Sequence, residues 1–310
     1  MKVAVLGSGA MGCLYGGTLA EAGHQVTFID VWAQHVQALN EQGLLIEENG
    51  KEKLIRKNFR AVTSPEGIGP VDLVIVFVKA TLTEVAMEEA KPLLGPNTIV
   101  LTLQNGLGNV EKLNRVAGRE HVIAGTTAHG STILGPGHIR HAGKGKTIIG
   151  EQSGETTRRI EQLAEAFQKA GFETKISSNV MGLIWTKLIV NIGINALTAV
   201  TGLKNGKLLE FPEVKSLMEK AVQEACDVAR AKGIRLEITD PQEHVAKIAQ
   251  ATAENRSSML QDVTNKRMTE ISVINGAVVA GGKEVGVPTP VNDVLTALIE
   301  TKQKTYNLTD

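Results

Sequence analysis

Gly7-Ser8-Gly9-Ala10-Met11-Gly12 follows directly on an apolar run, Lys2 to Leu6, and opens a stretch, Ala10 to Ala22, that reads as a helix stopping at Gly23. A strand that ends in G-x-G-x-x-G and turns into a helix has few folds open to it. Gly7 permits the tight turn, Gly9 lets the backbone approach a pyrophosphate, and Gly12 lets the helix pack closely on the strand. The free N–H groups of this turn, from Ser8 through Ala10 and Met11, can then hold phosphates. A second strand, Gln25 to Ile29, closes with Asp30, about twenty residues past the glycines, where a carboxylate accepts hydrogen bonds from adenosine ribose hydroxyls. Asp30 repels a 2′-phosphate, and Val31, Trp32, Ala33, Gln34 and His35 bring no Arg or Lys to offset it. The motif therefore points to a nicotinamide dinucleotide, ahead of a flavin, with NADH favoured over NADPH.

The first half continues in the same rhythm. Ala33 to Gln42 reads as helix, and Leu44 to Ile46 with Lys53 to Arg56 as a hairpin around Asn49-Gly50. Val71 to Val78 is a continuous apolar run, as expected for a strand covered on both faces, followed by a helix (Thr83 to Leu94) and another strand (Thr98 to Leu103). This alternation implies a Rossmann-type α/β domain with a doubly wound parallel sheet. Phe77-Val78-Lys79 and Gln104-Asn105-Gly106 end strands at the edge where such sheets bind ligands. Asn105 is expected near the nicotinamide. Lys79 is either a cation bordering the cofactor or substrate or a plain surface lysine. From Val122 to Gly150 the pattern changes to short strands with glycine-rich turns. Beyond Ser177 the strands stop, and Val180 to Ala199, Val214 to Lys232, Pro241 to Thr252, Thr264 to Gly281 and Val291 to Tyr306 read as helices, the first capped by Asn179. The expected organisation is a dinucleotide-binding domain over 1–177 and an all-helical domain over 178–310, with Leu308-Thr309-Asp310 fraying.

Bulk properties exclude several classes of function. Lys plus Arg and Asp plus Glu number 33 each, so no net charge asks for a nucleic acid or a membrane, and aromatics at 3% offer no platform for stacking bases. Cys13 and Cys226 are too few and too far apart for a disulfide framework, and no His or Cys pair has metal-ligand spacing. The chain runs from Met1-Lys2 straight into a strand and holds no uninterrupted apolar run of membrane-spanning length, so a reducing cytoplasm is the expected location. His129, His138 and His141 read as structural or surface residues, and Glu88, Glu89 and Glu284 as solvated faces.

One further stretch carries chemistry. In Trp185-Thr186-Lys187-Leu188-Ile189-Val190-Asn191-Ile192-Gly193-Ile194-Asn195, the residues Lys187, Asn191 and Asn195 recur at four-residue spacing. On a helix they form one stripe, in an otherwise apolar wall. An ammonium and two amides in such a wall are costly unless something polar docks against them. The stripe is thus a candidate site for a small polar molecule, with Lys187 placed to polarise it.

Taken together these segments resemble the ketopantoate reductases (2-dehydropantoate 2-reductases) over essentially the whole chain. The matching pieces are the glycine motif, Gln104-Asn105-Gly106-Leu107-Gly108, Ala128-His129-Gly130, Gly135-Pro136-Gly137-His138-Ile139-Arg140-His141, Trp185-Thr186-Lys187-Leu188, Asn191, Asn195, Asn255-Arg256-Ser257-Ser258-Met259-Leu260-Gln261-Asp262 and Thr269-Glu270-Ile271. The resemblance implies an active site in the cleft between two domains, where Lys187 protonates a ketone oxygen as hydride arrives and Glu270 binds the substrate hydroxyl. It implies that Asn191, Asn195, Asn255 and Ser258 hold the substrate's carboxylate and hydroxyl groups. It places Asn105 near the lysine and the nicotinamide ribose. The implied substrate is a 2-oxo acid, ketopantoate first, and the implied assembly is a dimer or a monomer. Asp30 departs from the family's usual NADPH preference and leaves an NADH-dependent D-2-hydroxyacid dehydrogenase of the mandelate type as the rival. A non-catalytic nicotinamide-sensing protein is the alternative of another class.

Overall fold

The computed structural model describes residues 1–307; the expectation for Leu308-Thr309-Asp310 lies outside the described residues. The chain divides into two compact units. One comprises Met1–Gln104 with Asn109–Val180, and the other Asn105–Gly108 with the chain from Met181 on.

The first unit runs β1 (Lys2–Leu6), α1 (Ala10–Glu21), β2 (Gln25–Ile29), α2 (Ala33–Gln42), β3 (Leu44–Glu48), β4 (Lys51–Ile55), β5 (Phe59–Val62), β6 (Leu73–Val76), α3 (Thr83–Glu89), β7 (Ile99–Thr102), α4 (Asn109–Ala117), β8 (Val122–Thr127), β9 (Gly130–Gly135), β10 (His138–Gly143), β11 (Thr147–Glu151), α5 (Arg158–Lys169) and β12 (Thr174–Ile176). Its large sheet has the order β12-β11-β8-β7-β6-β1-β2-β5 and is parallel except between β8 and β11. The β6 strand reads Leu-Val-Ile-Val and is buried throughout, as a strand covered on both faces requires. From β1 the chain winds first to β2 and β5 on one side, then to β6, β7 and β8 on the other. That reversal makes the carboxyl ends of β1, β2 and β6 a topological switch point, where doubly wound sheets bind ligands. The expected hairpin forms between β3 and β4, with Asn49 (φ 51°) and Gly50 (φ 73°) both left-handed, the signature of a type I′ turn. A second sheet, β4-β3-β10-β9, gathers it with the strands of the glycine-rich region.

The second unit is helical: α6 (Val180–Thr201), α7 (Pro212–Ala231), α8 (Pro241–Ala251), α9 (Ser258–Thr264), α10 (Asn275–Val285) and α11 (Pro290–Lys304). By length and composition α6 is apolar enough to cross a membrane, although Lys187, Asn191 and Asn195 interrupt it. However, 72% of its most apolar stretch is buried inside the protein, so a core position accounts for its composition. Gly193 faces α7 and α8: an added Cβ would lie 2.6 Å from Val245 and 3.1 Å from Val222.

Several sequence expectations are corrected here. The stretch Thr264 to Gly281 is not one helix. It is the end of α9, a non-helical connector, a 3₁₀ turn (Ile271–Val273) and the first part of α10. The break is a Schellman motif, with Lys266 N–H donating to Val263 O (3.1 Å) and Arg267 N–H to Asp262 O (2.8 Å). Lys266 takes the left-handed position (φ 51°) that usually advertises itself as glycine, so the stop is silent in the sequence. The helix expected from Thr83 to Leu94 ends at Glu89 and yields to a 3₁₀ turn over Lys91–Leu93, where Pro92 has no N–H to continue it. Elements that went unread include β5, α4, β12, the body of α9, and α5, which buries Ile160, Leu163, Ala164 and Phe167 at helical spacing behind a Thr157 cap.

The close approach at Gly193 is testable. Gly193→Val is expected to lower unfolding free energy by about 1–3 kcal/mol through overpacking. Urea denaturation of both proteins measures it, and an unchanged midpoint would refute the packing account.

Candidate active site

At the switch point the three motif glycines do different work. Gly7 has φ +86° and its Cβ would lie 2.7 Å from Val78 N, so turn and close approach both demand glycine. At Gly12 a Cβ would lie 2.0 Å from the Gly7 carbonyl oxygen and 3.1 Å from Val5, the tight packing of α1 on β1. Gly9 differs, because a Cβ there would meet nothing within 4 Å. No protein contact explains this glycine, and it lines a cavity of about 330 Å³ with Gly7, Asp30, Thr63, Pro65 and Lys79. Gly9 is also the N-cap of α1 with no side chain capping the helix, so the N–H groups that follow are available to an anion. A backbone cradle that a Cβ would fill, next to a helix start, fits the pyrophosphate of a dinucleotide.

Asp30 is held firmly beside that loop. Its Oδ2 accepts from Ser8 N–H (2.7 Å) and from the Ser8 hydroxyl (3.1 Å), and its Oδ1 from Trp32 N–H (3.0 Å). Ser8 is fully buried and takes its place as a brace for the carboxylate, while Ala10 and Met11 form the first turn of α1. Lys79 is exposed and ends the segment after β6, on the wall of the same cavity as Asp30. Thr63 and Pro65 escaped the sequence reading because β5, which delivers them, did.

The second unit carries the stripe. Lys187, Asn191 and Asn195 lie on α6, with Asn195 6% exposed and the other two half-buried. Among the described residues neither the Asn191 nor the Asn195 carboxamide has a hydrogen-bond partner; the Asn195 backbone oxygen accepts from Thr198. Burial pulls the Lys187 ammonium down to about 8, against the opposing influence of the Glu270 carboxylate. Glu270 is not on a helix, as the sequence suggested, but heads the 3₁₀ turn Ile271–Val273. Its Oε2 accepts from Asn105 Nδ2 at 3.4 Å. Asn105 comes there because the segment Asn105–Gly108 belongs to the helical unit: Leu107 N–H donates to Val273 O (2.9 Å), and Gly106 (φ +81°) lies where a Cβ would be 2.5 Å from that same oxygen. Lys187, Glu270 and Asn105 thus form one electrostatic group.

Asn255 and Ser258 are exposed at the start of α9. Asn255 acts there through its backbone, its carbonyl accepting from Asn205 N–H (3.1 Å). The helix cap is Ser257, which accepts from Leu260 N–H (3.0 Å) and shares a 2.7 Å hydrogen bond with Thr198 on α6. That bond ties the Ser258 element to the helix of the stripe.

Residues 3–154 match the family model of ketopantoate reductase PanE/ApbA, and residues 179–303 match the model of its C-terminal part. The chain belongs to the ketopantoate reductase PanE/ApbA family. Within that family, a 2-dehydropantoate 2-reductase of Pyrococcus horikoshii is 38% identical over 303 residues, 98% of each chain. A PanE/ApbA family ketopantoate reductase of Ralstonia eutropha JMP134 has a TM-score of 0.91 at 37% identity, over 98% of this chain and 99% of that one. D-mandelate dehydrogenase in its ternary structure with NADH and anilino(oxo)acetate has a TM-score of 0.91 at 30% identity, over 99% and 100% of the two chains.

Two histidines of the matching segments, His129 and His141, make a cluster of their own in the first unit. The His129 and His141 rings meet at 3.1 Å and His141 Nδ1 lies 2.6 Å from Glu48. Burial among aromatic neighbours and the nearby His141 hold His129 down to about 4, so it stays neutral at ordinary pH.

The glycine division of labour sets an expectation. Gly9→Ala should keep stability within about 1 kcal/mol, the scale of an N-cap change, yet weaken dinucleotide binding at least tenfold. Gly12→Ala should unfold at markedly lower urea. Calorimetry with NADH and denaturant titration read the two effects, and equal behaviour of the variants would contradict the assignment.

Proposed function

We propose that this protein is a 2-dehydropantoate 2-reductase, reducing the ketone of ketopantoate to D-pantoate with a nicotinamide cofactor. The observation that carries the reading is the α6 stripe: a lysine with a lowered pKa in line with two half-buried or buried amides whose carboxamides face no protein partner among the described residues. The substrate offers a carboxylate, a ketone and a hydroxyl on a branched chain, which suits one ammonium, neutral amides and an acidic acceptor.

When bound at the Gly7–Gly12 loop, the cofactor supplies hydride to the ketone carbon. Lys187 donates a hydrogen bond to the ketone oxygen, stabilises the charge that develops there and delivers the proton. It is left neutral and is reprotonated from solvent. Asn191 and Asn195 donate to the substrate's oxygens and fix its orientation, with Asn255 and Ser258 as further candidate contacts. Glu270 accepts from the substrate hydroxyl and raises the basicity of Lys187, and Asn105 holds Glu270.

The proposal extends to the cofactor's identity. Asp30, locked by Ser8 and Trp32, supports NADH as the preferred reductant. Lys79, on the same cavity wall, is the cation through which NADPH would be held. Asp30 also favours the second reading, an NADH-dependent D-2-hydroxyacid dehydrogenase of the mandelate type. Rates with ketopantoate, phenylglyoxylate and 2-oxoisocaproate, each with NADH and NADPH, separate the two, and binding without turnover would mark a sensor instead. Ketopantoate with NADH is the expected best pair.

Lys187→Ala should lose about 10²–10⁴ in rate, the usual worth of general acid help, while NADH binding persists; near-normal turnover would end the mechanism. The acid must carry its proton, so kcat/KM for reduction should be flat below the Lys187 pKa of about 8 and fall as pH rises through it. The reverse oxidation needs the neutral amine and should rise over the same range. Stopped-flow profiles in both directions test the sign, and Lys187→Arg should erase the break.

A further inference from the structure

We infer that Gln303, in the last turn of α11, is a positioning residue that holds Glu270 in register with Lys187. The inference rests on the reductase reading above and deepens it.

Glu270 sits at a difficult place for a carboxylate that must act at a fixed point. It follows a connector, 265–269, in which 265 through 268 are exposed and Lys266 is left-handed. Downstream it is well anchored. Val273 and Ile274 N–H donate to the Glu270 carbonyl (3.1 Å each), and Val273 O takes the Leu107 N–H. Upstream the residue directly before it is tethered to α11. Thr269 N–H donates to Gln303 Oε1 at 2.5 Å, and both residues are nearly buried, at 7% and 8% exposure. Thr269 then passes the constraint on, its hydroxyl accepting from Ile271 N–H (3.3 Å).

Removing the Gln303 oxygen would leave a buried N–H with no acceptor, which the chain can relieve only by moving. The connector is exposed over 265–268 and so takes up that movement more readily than the hydrogen-bonded 3₁₀ turn behind it, and Glu270 directly follows Thr269. The neighbouring Lys302 strengthens the case: its Nζ donates to Ala199 O, among the final carbonyls of α6. One helical turn therefore braces both the helix that carries Lys187 and the strap that carries Glu270. Burial lowers the Lys187 ammonium's pKa and the Glu270 carboxylate raises it. Arg235 and Glu237, whose segment docks on Thr186 beside Lys187, lie 3.9 Å from each other.

The test is a double-mutant cycle. Gln303→Met keeps length and apolar packing but removes the acceptor; Gln303→Glu keeps an acceptor oxygen. Gln303→Met is expected to lower kcat for ketopantoate reduction about tenfold and to move the pH break downward, as the loss of a raising carboxylate requires. Gln303→Glu should restore both, and NADH binding, read by fluorescence, should match wild type throughout. In a Glu270→Gln background, Gln303→Met should change kcat less than twofold. Equal losses in both backgrounds, or an unshifted break, would overturn the inference by showing a merely structural bond. Should Gln303→Met fail to fold, Gln303→Asn, one methylene short of reach, takes its place with the same expectations. A wild type inactive on every 2-oxo acid would sink the reductase reading, whereas an active wild type with unaltered Gln303→Met sinks this inference alone.

Discussion

An ammonium inside an apolar helix is the constraint around which the helical unit is organised. Moving a lysine out of water disfavours its charged form, and a neutral amine is a poor acid. Glu270 counters this by favouring the charge, and the balance leaves Lys187 at about 8. That balance depends on the carboxylate being neither too close nor too far. Asn105 donates to that carboxylate, and the Thr269–Gln303 bond holds the backbone next to it.

The dinucleotide loop follows the opposite logic. There the protein supplies backbone rather than side chains, and its glycines are fixed by three separate demands: a left-handed turn at Gly7, steric exclusion at Gly12, and open space at Gly9. Only the last concerns a ligand. Asp30, pinned by donors from Ser8 and Trp32, is a carboxylate held against that loop by the loop's own backbone.

Most of this was legible because the demands are local. The glycine motif with its flanking strand and acid, the period of the α6 stripe and the Asn49-Gly50 turn all encode their geometry within a few residues. What was not legible depends on distant partners or on unusual residues in familiar roles. Lys266 ends α9 in a position where glycine is the usual sign, so the sequence ran a helix through the connector and placed Glu270 on it. The attachment of Asn105–Gly108 to Val273 is a contact between segments far apart in sequence, and no local pattern announces it. Gln303, a glutamine in the last turn of a helix, gave no signal at all; only its burial and its bond to Thr269 single it out.

The allegiance of Asn105–Gly108 also bears on how the molecule could have been assembled. The polypeptide changes unit at Gln104–Asn105, again at Gly108–Asn109, and a last time at Val180–Met181. The helical half is consequently no detachable cassette. A chain begun at Met181 would lack the short peptide that occupies the Val273 carbonyl, so splitting or shuffling the two halves at the obvious seam severs a piece of one from its own interior.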